Sequence, residues 1–208
     1  MKTQKHFLLI ILIVFAFASC KTEGFKSAEI ESIMDNDANV LMPLLTINEK
    51  SDSLFLRTQA REVKKKHIGS TTLDHLRKRM LATVNDSLNA GVGIAAPQVG
   101  VGLSMIYVQR FDKTGEPFEV YYNPVIVEYG DSINSGQEGC LSVPNYRGIV
   151  DRSHNIVITY LDSLGEKQTE QINDFTAVIF QHEVDHVNGV LYYDHISRGF
   201  ESLSFSEE

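Results

Sequence analysis

His182-Glu183-Val184-Asp185-His186 follows the pattern HExxH, inside a strongly apolar stretch between Asn173 and Gly189 that predicts a helix. Residues four apart lie on the same face of a helix, so His182 and His186 can bind one divalent cation. Glu183 lies beside them and can transfer protons. Two histidines in an ordinary protein core would show the same pattern, so the assignment needs a third ligand.

Cys140 can supply that ligand. It lies in Glu138-Gly139-Cys140-Leu141-Ser142, next to a strand-like segment. A catalytic metal usually has three protein ligands and an open fourth position, and two imidazoles with one thiolate supply the three. A lone cysteine is more often a small buried apolar residue, and the residues alone leave that alternative open.

The residues around these segments predict strands that precede one buried helix. Two pairs of apolar segments have turn residues between them, as in antiparallel hairpins. They cover residues 103–108 with 119–122, and 155–161 with 167–172. A further helix is predicted over residues 71–89, with Thr71 or Thr72 as its cap. We therefore predict an α+β fold in which antiparallel sheets wrap around a central helix that carries HExxH.

The first twenty residues resemble the signal of a bacterial lipoprotein. Lys2 and Lys5 precede an apolar run over residues 7–18, and Ser19-Cys20 follows it. The run is too short for a permanent membrane-spanning helix. The pattern predicts that residues 1–19 are removed as a signal peptide and that Cys20 receives lipid. A plain secretory signal with an incidental cysteine is the alternative.

This signal implies a domain organisation and a location. Residues 20–39 are largely polar and are predicted to be the lipidated cysteine and a flexible tether. Residues 40–208 are predicted to form the catalytic domain. The expected location is the bacterial cell envelope, with the lipid as a membrane anchor. If the signal interpretation fails, the expected location is the cytoplasm.

Composition limits the domain count and the partners. A chain of 208 residues with 43% hydrophobic residues is typical of one globular domain, and we expect a monomer. The net charge of −8 argues against a nucleic-acid partner, because no basic excess is present to neutralise phosphates. The short basic run over residues 61–67 is predicted to be a solvated face.

A third segment, Gly91-Val92-Gly93-Ile94-Ala95-Ala96-Pro97-Gln98, has features of a substrate-binding strand. Its two glycines allow another backbone to approach closely, as when a peptide substrate pairs with a strand. The side-chain amide of Gln98 can donate a hydrogen bond to a developing oxyanion.

In order and spacing, G-x-G-x-A-A-x-Q, E-G-C-L-S and Q-H-E-x-D-H resemble the three motifs of peptide deformylases. The resemblance covers about residue 40 to about residue 197. Members of this family remove the N-formyl group from formyl-methionyl peptides and release formate. The resemblance implies that Cys140, His182 and His186 bind one divalent metal, usually Fe²⁺, with Zn²⁺ or Ni²⁺ as substitutes.

The resemblance also implies roles for the surrounding residues. Glu183 is expected to act as general base, and Gln98 with the backbone N–H of Leu141 to stabilise the oxyanion. Glu138 and Arg147 are expected to support the site, either through a salt bridge that holds the Cys140 strand or, as the alternative, simply as solvated surface residues. Asp185 lies off the ligand face of the helix and is expected to support its surroundings rather than bind metal. Residues that flank the metal ligands on the same face are predicted to contact the substrate, although they could equally be part of the core. They are Val92, Gly93, Phe175, Val178 and Ile179.

Two other classes of protein share part of this pattern. A zinc endopeptidase also contains HExxH, but E-G-C-L-S is not a feature of that class. A non-catalytic envelope lipoprotein could retain the deformylase fold. The presence of both Glu183 and Gln98 argues against such a loss of activity.

Overall fold

The computed structural model describes residues 24–202 apart from residues 88 and 89. The predicted signal peptide, residues 1–19, and Cys20 lie outside the described residues. Within residues 24–202, apart from that gap, no helix has both the length and the apolar character needed to cross a membrane.

Four α-helices and eight β-strands are formed by the described residues. The helices are α1 Ser27–Met34, α2 Lys50–Leu56, α3 Thr71–Val84 and α4 Asp174–Val187. The strands are β1 Gly93–Ala95, β2 Met105–Gln109, β3 Phe118–Tyr129, β4 Ile133–Cys140, β5 Val143–Ser153, β6 Asn155–Leu161, β7 Lys167–Asn173 and β8 Ile196–Ser202. The two hairpins predicted from the sequence are therefore confirmed, as β2 with β3 and β6 with β7.

The strands form two antiparallel sheets on either side of α4, the helix that carries HExxH. One sheet has the order β1-β2-β3-β6-β7, and the other has the order β4-β5-β8. Helix α4 contacts β1, β2 and β3 of the first sheet and β5 of the second. The predicted α+β fold with sheets around an HExxH-bearing helix is confirmed.

Helix α4 presents two different faces to its surroundings. Ala177, Phe180 and Val184 pack into the core with residues of the five-stranded sheet. The stripe that carries both histidines also carries Phe175 and Ile179. Ile179 and His186 are buried, whereas Phe175 is 52% exposed. The exposed part of this stripe borders a solvent-accessible cleft.

The predicted flexible tether over residues 20–39 is wrong for residues 25–34. Residues 27–34 form α1, which packs against α3. Phe25 and Ile33 are buried in the core, and buried Glu29 accepts hydrogen bonds from Arg61 at 2.6 Å. The apolar spacing of Ile30 and Ile33 gives a short helix one apolar side, and burial of that side fixes the segment on the domain.

Helix α3 is shorter than the sequence predicted. It covers Thr71–Val84, and its cap is Ser70, whose hydroxyl accepts a hydrogen bond from the backbone N–H of Leu73 at 3.3 Å. The prediction of Thr71 or Thr72 as cap is therefore wrong by one or two residues. Serine before the first helical residue pairs the otherwise unsatisfied amide of Leu73 in the first turn.

Candidate active site

The three predicted metal ligands lie together between the two sheets. Cys140 is the last residue of β4, and His182 and His186 are on consecutive turns of α4. The sulfur of Cys140 lies 3.2 Å from Nε2 of His186. One ligand atom from each of the three residues lies within 4.8 Å of the other two. This spacing suits a single ion bound by all three.

His182 is oriented by Glu138. Its Nδ1 lies 2.9 Å from Oε2 of Glu138, which leaves Nε2 for the centre of the site. A carboxylate on the outer nitrogen is the usual partner of a metal-binding histidine. Burial by itself would raise the pKa of Glu138, but hydrogen bonds with His182 and Arg152 lower this pKa to about 2. Glu138 is therefore ionised at neutral pH.

The electrostatics of the three ligands favour a positive charge at their centre. Burial would lower the pKa of His182, but hydrogen bonds with Cys140 and Glu138 outweigh it and raise this pKa. Burial lowers the pKa of His186, so that ring is neutral at pH 7, the form in which histidine binds metals. The donor set therefore fits a divalent cation, which would take the place of the proton that His182 attracts.

Glu183 lies beside this centre in a buried position. Among the described residues, its Oε2 has no hydrogen-bond partner. Burial raises its pKa to about 7, so the carboxyl group can both accept and release a proton near neutral pH. A Cβ on Gly93 would lie 2.5 Å from Oε1 of Glu183, so glycine at this position makes room for the carboxylate.

Gln98 faces the same centre from the other side. It lies in a short 3₁₀ helix, Ala96–Val99, and its Oε1 accepts a hydrogen bond from the backbone N–H of Ala95 at 2.8 Å. This contact fixes the amide so that Nε2 points towards Ser142 Oγ at 3.3 Å and Cys140 Sγ at 3.6 Å. The donor group of Gln98 is thus positioned beside the ligand sulfur.

A cleft of about 450 Å³ opens onto these residues. It contains every residue predicted to contact the substrate, together with Leu141. Those residues are Val92, Gly93, Leu141, Phe175, Val178 and Ile179. Strand β1, which begins at Gly93, is an edge strand of its sheet. The cleft is therefore bordered by an edge strand, to which an extended peptide can add as a further strand.

The sequence model of the family described as polypeptide deformylase matches residues 42–200. The chain belongs to this family. A relative, peptide deformylase 2 of Vibrio cholerae, is 37% identical over 142 residues, which are 68% of this chain and 80% of the relative. The peptide deformylase of Brucella suis is 39% identical over 130 residues, 60% of this chain and 73% of the relative.

Solved deformylases share the fold as well as the sequence. The actinonin-bound class I type b peptide deformylase of Acinetobacter baumannii is 37% identical, with a TM-score of 0.67. The match covers 76% of this chain and 99% of that chain. The Thermotoga maritima enzyme is 32% identical, with a TM-score of 0.66 and the same coverage. The chain is thus an enzyme, a metal-dependent hydrolase that deformylates the N-termini of peptides.

The predicted salt bridge between Glu138 and Arg147 is wrong in this deformylase. Glu138 bonds Arg152 instead, at 2.8 Å and 3.1 Å, and Arg152 also bonds Asp185 at 2.6 Å. Glu138 pairs with Gly148 across the β4–β5 ladder, so it shares a face with even-numbered residues of β5. Arg147 is on the opposite face and is exposed, although it does line the cleft.

Arg152 is the residue of the site that was not predicted from the sequence. The sequence carries little signal for it, because apolar Ile149 lies between Gly148 and Val150, and the alternation that places position 152 on the buried side of β5 is seen in the structure. Arg152 links Glu138, which orients His182, to Asp185 on α4. Asp185 was predicted to lie off the metal. It is part of the network of ion pairs through which Arg152 supports Glu138.

Replacing Arg152 by methionine should destabilise the deformylase by about 3–5 kcal/mol, because the largely buried Glu138 and the partly buried Asp185 would lose the guanidinium between them. The free energy of unfolding from urea titration measures this loss. Arg147→Met is the matched control, since it removes an exposed arginine from the same strand and should change stability by no more than about 0.5 kcal/mol. Equal effects of the two substitutions would contradict the assigned ion pair.

Proposed function

We propose that this deformylase removes the formyl group from N-formyl-methionyl peptides, and that Cys140, His182 and His186 hold its single metal ion. The observation that carries the proposal is the convergence of one sulfur and two imidazoles beside a buried carboxylate, in a cleft bordered by a strand edge. The A. baumannii relative has been solved with Met-Ala-Ser bound, a peptide that begins with methionine.

The peptide would bind along β1. Backbone groups at the edge of this strand can pair with an extended substrate, which gives affinity without dependence on the peptide's sequence. Val92, Val178 and Ile179 would surround the methionine side chain, since they line the cleft near the ligands. Phe175, half exposed at the cleft, would close its outer side.

The chemistry then depends on proton transfer by Glu183. A bound divalent cation would supply activation of a water molecule and polarisation of the formyl oxygen. Glu183 would take a proton from the attacking water. It would then give this proton to the peptide's amine nitrogen as the bond from that nitrogen to the formyl carbon breaks and formate is released. A carboxyl group whose pKa lies near 7 can perform both transfers at neutral pH.

Gln98 and the backbone N–H of Leu141 would stabilise the oxyanion that forms on the formyl oxygen. Gln98→Leu keeps a side chain of similar volume but removes the donor, so kcat should fall about a hundredfold. The metal content should stay unchanged, because Gln98 is not a ligand. A formate-release assay at saturating peptide measures the change, and a loss of less than about threefold would exclude this role.

The metal is proposed to be Fe²⁺, with Zn²⁺ or Ni²⁺ as substitutes. Thiolate and imidazole donors suit all three ions, so the ligands do not by themselves select one. A thiolate ligand is open to oxidation outside the cytoplasm, and zinc is then expected to replace iron. Anaerobic purification followed by elemental analysis identifies the ion. Calcium or magnesium in its place would contradict the ligand assignment.

The enzyme is further proposed to be a monomer in the bacterial envelope, anchored by lipid on Cys20. The support is the sequence of residues 1–20, with two lysines, an apolar run and a cysteine after small residues. Its substrates there would be formyl-peptides that were not processed at the ribosome. Membrane fractionation with mass spectrometry of the N-terminus tests this proposal, and an unmodified Met1 in the soluble fraction would refute it.

The activity itself is tested by comparing two substrates. Formyl-Met-Ala-Ser should release formate in proportion to bound metal, while casein should remain intact. Cleavage of casein without formate release would instead indicate an endopeptidase. Binding of the formyl-peptide without any turnover by the metal-loaded protein would indicate a non-catalytic protein with the deformylase fold.

A further inference from the structure

We propose that the basic segment, residues 61–67, is a docking surface for the anionic headgroups of a lipid bilayer. The inference rests on the proposed lipid on Cys20. It replaces the expectation that this run of charges is merely a solvated face, and three observations support it.

The first observation is where the described chain begins. Arg61 donates a hydrogen bond from Nη1 to the carbonyl oxygen of Gly24 at 3.1 Å. Phe25 is buried, and its ring meets the ring of His67 edge-on with 5.8 Å between centroids. A Cβ on Gly24 would lie 2.7 Å from Nε2 of His67. The N-terminal end of the folded domain therefore rests directly on the basic segment.

The second observation is the length of chain between this point and the lipid. Only four residue steps separate Cys20 from Gly24, and an extended chain covers at most about 14 Å over that length. A free tether of twenty residues would have allowed the domain to turn in any direction. Because α1 is packed on the domain, a lipid on Cys20 would instead hold the basic segment close to the headgroups.

The third observation is charge. The segment reads Arg-Glu-Val-Lys-Lys-Lys-His, and Lys64, Lys65 and Lys66 are exposed. Lys26, at the start of α1, adds a fourth exposed lysine. The chain as a whole carries a net charge of −8, so most of its surface would be repelled by an anionic bilayer. The four exposed lysines would attract such a bilayer.

The ion pairs of Arg61 and Lys65 do not prevent docking. Arg61 forms an ion pair with buried Glu29, and this contact is part of the folded domain. Lys65 bonds Glu166 at 2.8 Å, but both side chains are more than 60% exposed, with values of 61% and 64%. Exposed pairs of this kind are weak and exchange readily for other partners, including lipid phosphates. Lipid and basic residues together form the two signals that give stable, oriented membrane binding.

Lysine acetylation on vesicles tests this inference with the full lipidated protein. The protein is reconstituted into phosphatidylcholine vesicles with and without about 30% phosphatidylglycerol, and acetylation rates are read by mass spectrometry. Lys26 and Lys64 to Lys66 should react about threefold more slowly on anionic vesicles, and 0.5 M NaCl should remove the difference. Lys113, beyond the other end of β2, should react equally on both.

A charge-removal variant provides the matched comparison. In K64Q/K65Q/K66Q, Lys26 should lose its protection on anionic vesicles, while formate release from a soluble peptide stays unchanged. K113Q should behave like the parent protein. A lipidated Cys20 with equal acetylation on both kinds of vesicle would overturn the inference and leave the proposed anchor intact. A chain without lipid on Cys20 would overturn both.

Discussion

Glu183→Gln should lower kcat for formate release by roughly 10²–10⁴-fold, the usual range for loss of a general acid–base group. The amide has the shape of the carboxylate but cannot accept a proton from water at neutral pH. Glu183 is buried with one oxygen that has no partner among the described residues, so the substitution removes no structural hydrogen bond of that oxygen. Single-turnover formate release at saturating peptide measures the effect.

Two measurements separate this role from a structural one. Metal content of the Glu183→Gln protein should match that of the parent, because Glu183 is not among the three ligands. Asp174→Asn removes an exposed carboxylate from the first turn of the same helix and should leave kcat within about twofold. Persistent full activity in Glu183→Gln would show that proton transfer is carried out by another group.

Cys140→Ala should abolish both metal binding and deformylation. Two imidazoles one helical turn apart would remain, and they provide fewer donors than the three protein ligands of a typical catalytic site. We expect metal content to fall from about one ion per chain to near zero after dialysis against a weak chelator. Elemental analysis and the formate assay on the same sample measure the two losses together.

His75→Ala is the control for Cys140→Ala. His75 bonds the backbone oxygen of Asn36 at 2.8 Å and does not belong to the ligand group. This variant should keep its metal and its activity, which shows that loss of an unrelated side chain does not empty the site. Retention of one tightly bound ion by Cys140→Ala would mean that the sulfur is not a ligand.

Much of the site could be predicted from the sequence, because its residues lie in short local patterns. His182, Glu183 and His186 follow from helical periodicity, and Cys140 and Gln98 follow from the family motifs that contain them. Cleft residues such as Val178 were predicted from their spacing on α4, and the structure places them in the cleft. These assignments depend on nearest neighbours along the chain, which a sequence displays directly.

The remaining features depend on contacts between distant segments. Glu138 selects Arg152 rather than Arg147 because of the register between β4 and β5, and the residue pattern of the two strands does not reveal which residues pair. The folding of residues 27–34 onto α3 was missed because a short helix with few apolar residues resembles a polar linker. Burial of Phe25 and Ile33 against the rest of the domain is what holds that segment in place.

The central claim is that one sulfur and two imidazole nitrogens bind a single metal ion in this deformylase. X-ray absorption spectroscopy at the metal edge, on anaerobically purified and catalytically active protein, measures the ligand set directly. We predict a first shell with one sulfur and two histidine nitrogens per metal, completed by oxygen. A shell without sulfur, in a sample that still releases formate, would contradict the assignment of Cys140 and with it the proposed active site.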